Sequence, residues 1–196
     1  MKYILASASP RRKEILSGLG LDFTVLVADA DETCDLTDPG ERVEFISLKK
    51  CLAVRDKLIS EGMDPADKDT VIIASDTLVT LDGAFLGKPR DEADAIRMME
   101  LLEGRTHAVA SGIAVWHKGR TVTAHELTDV TFAPMSPAEI QAYIATGESF
   151  SKAGGYAIQG HASRYITGIR GDYFNVVGLP VRRLYETLRM VFGIRL

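Results

Sequence analysis

Apolar residues in this chain fall alternately into short β-branched runs and stripes at helical spacing, so strands and helices take turns along it. Tyr3 to Leu5 reads as the end of a buried strand. Ser9-Pro10 then reads as an N-cap with proline at the first helical position, opening a helix that carries Ile15, Leu16 and Leu19 and closes at Gly18 to Gly20. Phe23 to Val27 predicts a second strand, and Asp29 to Asp38 an acidic, turn-rich loop. From Glu41 to Ser60 the pattern predicts a helix, with Val43, Ile46, Leu48, Leu52 and Leu58 among its apolar positions. The run Thr70-Val71-Ile72-Ile73-Ala74 has the look of a central strand covered on both faces, expected to end at Ser75-Asp76-Thr77. Leu78 to Leu81 and Ala84 to Leu86 flank Asp82-Gly83, a pair suited to a two-residue type I′ turn.

Asp91 caps a further helix to Glu103, with Ile96, Met99 and Leu102 on its inner face and Gly104 at its end. Ala108 to Trp116 and Thr121 to Phe132 predict a second hairpin around Lys118-Gly119. Ser136-Pro137-Ala138-Glu139 is a capping box with proline at N1, so a helix starts there and stops near Gly147. Glu148 to His161 is rich in glycine and polar residues, and long for a mere connection. Tyr165 to Val177 predicts more strand, and Leu184, Leu188 and Val191 mark a closing helix. Hairpins interspersed with helices predict an α/β fold with a mixed sheet.

Composition narrows the class. The 196 residues, 46% hydrophobic and 26% charged, suit a soluble globular enzyme with one sizeable core or two small lobes. A net charge of −4 argues against coating nucleic acid, which needs a basic face, yet local basic clusters suit a small anionic ligand. Cys34 and Cys51 form no metal-spaced pair, and no signal peptide precedes the first strand, so reduced thiols and a cytoplasmic location are expected. No apolar run approaches the ~18–20 residues of a membrane span, so no membrane partner is expected. A homodimer is left open.

Candidate chemistry starts at Ser7-Ala8-Ser9-Pro10-Arg11-Arg12. A helix N-terminus disfavours cations, so two arginines in the first turn make sense where a polyanion docks on amides, hydroxyls and guanidinium groups together. Asp76, at the expected carboxyl end of its strand, is a base, a metal ligand or a turn cap. The hairpin that follows returns Lys88-Pro89-Arg90 to the same end of the sheet. Gly87-Lys88 is no P-loop, because Gly83 is one residue too close and Pro89 replaces the required Ser or Thr. His107, His117, His125 and His161 show no metal-ligand spacing, although His161 is placed to edge a site; Trp116 reads as core.

In this order, Ser7-Ala8-Ser9-Pro10-Arg11-Arg12, Ser75-Asp76-Thr77, Gly87-Lys88-Pro89 and Lys152-Ala153-Gly154-Gly155-Tyr156-Ala157-Ile158-Gln159-Gly160 resemble the Maf family of nucleotide pyrophosphatases, as does Asn175-Val176-Val177-Gly178-Leu179-Pro180. The resemblance runs from Ile4 to Leu188 and implies one domain over residues 1–196. It implies a mixed twisted sheet with flanking helices in two lobes around a cleft, inosine triphosphate pyrophosphatase-like. The implied activity is hydrolysis of a nucleoside triphosphate substrate at the α–β bond, giving monophosphate and pyrophosphate, with a divalent metal cation (Mg2+, Mn2+ or Co2+) as cofactor.

Residue by residue, the resemblance makes Asp76 the catalytic acid–base and Glu32 with Asp76 the metal-linked carboxylates. Ser7, Ser9, Arg12, Lys50, Lys88 and Lys152 match phosphate-binding positions. Lys50 falls on the apolar face defined by Val43 and Ile46, although the pattern alone does not separate it from Lys49. Lys152 belongs to a segment expected to cover the substrate. Arg11, Thr77 and Gln159 match the specificity residues of the branch acting on thymidine and uridine triphosphates. The branch acting on 7-methylguanosine triphosphate carries Trp at the Arg11 position, where a ring meets a cationic base. Gln159 both donates and accepts, matching the edge of uracil or thymine. Ser75, where the family more often has Ala or Gly, is expected to matter little. The alternatives are the 7-methylguanosine branch and a non-catalytic regulator of septum formation.

Overall fold

The computed structural model describes residues 1–66 and 69–195. They form strands β1 (Lys2–Leu5), β2 (Phe23–Val25), β3 (Thr70–Leu81), β4 (Ala84–Leu86), β5 (Thr106–His117), β6 (Arg120–Phe132) and β7 (Ile166–Arg170). The helices are α1 (Pro10–Gly18), α2 (Pro39–Ser60), α3 (Glu92–Leu102), α4 (Pro137–Ile144), α5 (Tyr173–Val177) and α6 (Val181–Phe192). The fold is mixed α/β with a mixed sheet: β1 pairs in parallel with β2 and β3, while β3–β4 and β6–β7 are antiparallel. Strand order is β2-β1-β3-β5-β6-β7, with β4 on β3.

The chain divides into two compact units, and each draws on separated stretches of sequence. The first comprises Met1–Asp76, Ser111–Glu126 and Gly178–Leu196; the second comprises Thr77–Ala110 and Leu127–Val177. In the first, Ile4, Ala6, Ile72, Ala74, Ala114 and Trp116 pack against Cys51, Val54 and Leu58 of α2. Trp116 is core, as its hairpin position suggests. Cys34 and Cys51 are both free thiols, and burial pushes Cys51 up to about 12. In the second, Val79, Leu86, Met99, Leu102, Val109, Val130, Phe132, Tyr143 and Tyr156 form one apolar cluster.

Local chemistry explains the element ends. Asp38 accepts the Glu41 N–H at 2.8 Å and Pro39 takes the first helical position, so α2 starts two residues earlier than apolar spacing predicts. The Ser136–Glu139 capping box is present in both directions. Asp82 and Gly83 both have positive φ, 52° and 79°, as the type I′ turn between β3 and β4 demands. Three expectations are corrected. Strand β2 stops at Val25 rather than Val27. The Ser9 hydroxyl makes no capping bond to α1. Tyr165 to Val177 is not one strand: β7 ends at Arg170, and the Asp172 carboxylate accepts the Phe174 and Asn175 N–H groups at 2.7 and 3.4 Å, starting α5 instead.

The second unit's core also carries a titrating group. His107 is 3% exposed, its Nε2 2.7 Å from the Tyr156 hydroxyl and its Nδ1 buried without a partner among the described residues. Burial lowers its pKa to about 4, against an opposing pull from Asp129. The fold therefore favours neutral His107. Stability is full above the unfolded value of 6.5 and falls as pH drops toward 4. Wild type is expected to lose roughly 2 kcal/mol between pH 7 and pH 5 relative to His107→Gln, read from urea unfolding at both pH values. Parallel pH profiles for the two proteins would contradict this.

Candidate active site

In the first unit, the parallel strands β1 and β3 set the site. Leu5 pairs with Ile73, and the last bond between these strands runs from the Ala6 N–H to the Ile73 carbonyl at 2.8 Å. Beyond it the β1 chain leaves for α1 while β3 continues. Connections leave β1 toward β2 on one side and reach β3 on the other, so the carboxyl end of this pair is a topological switch point, where open α/β sheets place ligands. Asp76, three residues past Ile73, stands there.

Strand β3 does not stop at Ser75-Asp76-Thr77 but runs to Leu81, which corrects the expected boundary. Asp76 and Thr77 are the half-buried break in an otherwise buried stretch. Ser75 and Asp76 are tolerated because each has a partner inside the fold. Asp76 Oδ1 accepts from Lys50 Nζ at 2.6 Å, and the buried Ser75 hydroxyl donates to the Gly178 carbonyl at 3.0 Å.

Lys50 joins two carboxylates, since its Nζ also lies 3.2 Å from Glu32 Oε1. Its side chain is 19% exposed and that of Asp76 17%, whereas Glu32 is 55% exposed. The buried positions Val43, Ser47, Cys51 and Val54 place Lys50 on the inner face of α2. Lys49 is exposed and its Nζ lies 5.3 Å from the Phe45 ring centroid, so of the two lysines it is Lys50 that meets the carboxylates. Two carboxylates converging on one ammonium form a donor set that also suits a hard divalent ion, which takes one or two carboxylates and completes its shell with substrate phosphates. Among the described residues, no group of three or more His, Cys, Asp or Glu is placed to hold a metal by itself.

Arg12 completes this cluster. Its Nε donates to the Gly178 carbonyl at 2.8 Å and its Nη1 to the Ser7 hydroxyl at 3.1 Å. Burial pulls its pKa below the usual arginine value, while the charges of Asp76 and Glu32 pull it back up. Ser7 Oγ also accepts the Ser9 N–H at 3.3 Å, so what Ser7 can still offer a ligand is its own O–H. Ser9 contributes that backbone bond. Arg11 is half-buried in the first turn of α1. Ser75 shares an acceptor with Arg12: the same Gly178 carbonyl receives both its hydroxyl and the guanidinium. Nothing in the side-chain pattern marks Gly178 as that acceptor.

The second unit holds Thr77, Lys88, Lys152 and Gln159. Lys88 follows β4 and is exposed, Lys152 is half-buried with its ammonium on Ser151 Oγ, and Gln159 is exposed. The glycine-rich segment is tied to the Lys88 turn: the Gly154 N–H donates to the Gly87 carbonyl at 2.9 Å. Gly154 has φ 71°, and a Cβ there would sit 2.9 Å from Val79 Cγ2, so no other residue fits. Tyr156, Ala157 and Ile158 are buried. The segment is thus a packed part of its unit. Arg90 and Arg97 brace the same turn on the Asp94 carboxylate, holding it far below the usual carboxylate range. His161 is exposed, and its backbone N–H is bound by Glu148. No helix among the described residues is long and apolar enough to cross a membrane.

Comparison with known proteins bears on these clusters. A family model described as Maf-like protein matches residues 2–191. A protein of Bacillus cereus named dTTP/UTP pyrophosphatase is 42% identical over 189 residues, covering 96% of this chain and 94% of that protein. One of the same name from Bacillus anthracis is 41% identical with the same coverage. A solved structure of the Staphylococcus aureus Ham1 protein gives a TM-score of 0.46 at 15% identity, covering 68% of this chain and 72% of that one, a likeness too slight to carry weight. With its four motifs in order and the family model matching nearly end to end, the chain belongs to the Maf family.

Proposed function

We propose that this chain hydrolyses nucleoside triphosphates at the α–β anhydride bond, releasing monophosphate and pyrophosphate, with thymidine and uridine triphosphates preferred. The observation that carries the reading is the half-buried Asp76 at the end of the parallel strands, held by Lys50 beside Glu32 and within the field of Arg12. A positioned carboxylate surrounded by fixed cations suits attack of water on a polyphosphate. The names of the Bacillus relatives point to the same chemistry and to the same two nucleotides.

In this reading Asp76 takes the proton of the attacking water. Arg12 and Lys50 meet the charge that grows on the leaving pyrophosphate, with the Ser7 O–H and the Ser9 turn completing the phosphate contacts, and Lys88 and Lys152 are read as phosphate-binding from the family positions they match. Asp76 and Glu32 would hold a divalent cation such as Mg2+, Mn2+ or Co2+, which supplies charge neutralisation at the phosphoryl oxygens. Arg11, Thr77 and Gln159 select the base. The reaction is assigned to the cytoplasm, where clearing of modified pyrimidine nucleotides or a link to division would use it.

Pyrophosphate release with Mn2+ present, measured across thymidine, uridine, cytidine and 7-methylguanosine triphosphates, tests the proposal. Release is expected from the first two. Release from none would leave a binding module, and equal release from 7-methylguanosine triphosphate would remove the branch while keeping the reaction class. A sharper check uses Gln159. Cytosine presents a donor where uracil and thymine present O4, so a site built for O4 leaves a polar group unmatched. The mismatch is worth roughly 1–3 kcal/mol, or about 5- to 150-fold in kcat/KM. Gln159→Leu is expected to erase most of that preference. An undiminished preference in the variant would take Gln159 out of base reading.

A further inference from the structure

The chain beside Gln159 is held by a carboxylate that the reaction itself does not call for. Glu148 Oε2 accepts the His161 N–H at 2.8 Å, while Oε1 accepts from the Tyr143 hydroxyl at 3.1 Å and from the Ala162 N–H at 3.4 Å. The same Tyr143 proton is shared with the Gly155 carbonyl, also 3.1 Å away and on the other side of Gln159 in the chain. Gly160, the residue directly after Gln159, presses on the same carboxylate: a Cβ there would come 1.8 Å from Oε2. Both flanks of Gln159 therefore lead back to Glu148. The carboxylate, Gly160 and His161 also border an open hollow of about 370 Å³ with Ser163 and Arg164.

We infer that Glu148 is a positioning residue for pyrimidine selection, fixing the backbone on either side of Gln159; this rests on the reading of Gln159 as the base-selecting side chain. Among the described residues, each oxygen of the Glu148 carboxylate faces a backbone N–H, His161 on Oε2 and Ala162 on Oε1, and the one proton of the Tyr143 hydroxyl is shared between Oε1 and the Gly155 carbonyl. Only an acceptor-only group satisfies them all. Glutamine has nearly the same shape, but its NH2 would face either the His161 N–H or the pair on the other oxygen, setting donor against donor. The segment would then shift to relieve the clash, and the hydrogen-bonding edge of Gln159 would move with it, while Lys88 and Asp76 lie on other elements.

The test is kcat/KM on uridine and cytidine triphosphates for wild type, Glu148→Gln, Gln159→Leu and the double variant, with circular dichroism to establish folding. Glu148→Gln is expected to lower the uridine preference by at least about 5-fold. The double variant is expected to show no further loss beyond Gln159→Leu, because the two residues act on one contact. If folded Glu148→Gln depresses both nucleotides equally, or if the two losses add, the positioning role is overturned. Should Glu148→Gln not fold, Tyr143→Phe removes one donor and keeps the carboxylate. It is expected to lower the preference roughly twofold or more, and an unchanged ratio overturns the role equally. A wild-type protein with no preference between the nucleotides would instead remove the reading of Gln159 itself, and Glu148 with it. Preference retained by wild type and by folded Glu148→Gln alike removes Glu148 alone.

Discussion

Asp76→Asn is expected to lower kcat by at least about 100-fold, the scale of a lost general base, with a much smaller change in thermal stability. Asparagine keeps the size and one oxygen for Lys50 Nζ, which lies 2.6 Å from the carboxylate, so the strand and the lysine have reason to stay in place. What disappears is the negative charge. Without it there is no base for the water and one anionic donor fewer for a divalent cation, so Lys50 is left balanced by the more exposed Glu32 alone. Some destabilisation follows from removing one partner of a half-buried ion pair, although at 17% and 19% exposure water still reaches both groups. Single-turnover pyrophosphate release paired with a thermal melt separates the two effects. Near-normal turnover in folded Asp76→Asn would remove Asp76 from the mechanism. A collapse in melting temperature to match the rate would make it a structural residue.

Much of this arrangement is legible along the chain, and the limits are physical. Lys50 shows itself only in part: it falls on the apolar face of a long helix, but the pattern does not separate it from Lys49, and the partner that distinguishes it, Asp76, is 26 positions away. The two hairpin turns show themselves because Asp82-Gly83 and Lys118-Gly119 each interrupt the strand pattern with a glycine, and all four residues have positive φ. The end of β3 does not show. A polar triplet after an apolar run looks like a turn, and only the ion pair to α2, 26 positions earlier, and the bond to Gly178, 103 positions later, let the strand continue. The same holds for α5, whose β-branched residues Val176 and Val177 resemble strand until Asp172 caps the backbone.

The second unit is harder to read for a related reason. A segment of glycines and polar residues has the composition of a loose loop. Its order comes from contacts no local pattern records: the Gly154 N–H on the Gly87 carbonyl, Tyr156 on His107, and the Glu148 carboxylate gathering the His161 and Ala162 N–H groups. Glu148 itself resembles any exposed acidic residue in the sequence. Only the backbone at Gly160 points to it. Gly160 has φ −111°, a conformation open to any residue, so its lack of a side chain needs a steric cause, and that cause is Glu148.

Arg12→Ala is expected to weaken every nucleotide substrate alike, by roughly 10- to 150-fold in kcat/KM, the worth of a charge-assisted contact. The uniformity is the point: phosphate is common to all the substrates, so a guanidinium directed at it carries no information about the base. The fold is positioned to survive the change. The Gly178 carbonyl that loses Arg12 Nε keeps the Ser75 hydroxyl at 3.0 Å, and the Ser7 hydroxyl that loses Nη1 keeps the Ser9 N–H at 3.3 Å. Neither acceptor is left bare, and bare buried acceptors are what make such deletions costly. Thermal melts close to wild type are therefore expected beside the kinetic loss. Arg12→Lys restores charge but not the planar fork that reaches two acceptors at once, and is expected to recover only part of the activity. A loss confined to thymidine and uridine triphosphates, with cytidine triphosphate untouched, would move Arg12 from the phosphates to the base. A melting temperature that falls in step with activity would instead make its bonds to Gly178 and Ser7 its principal role.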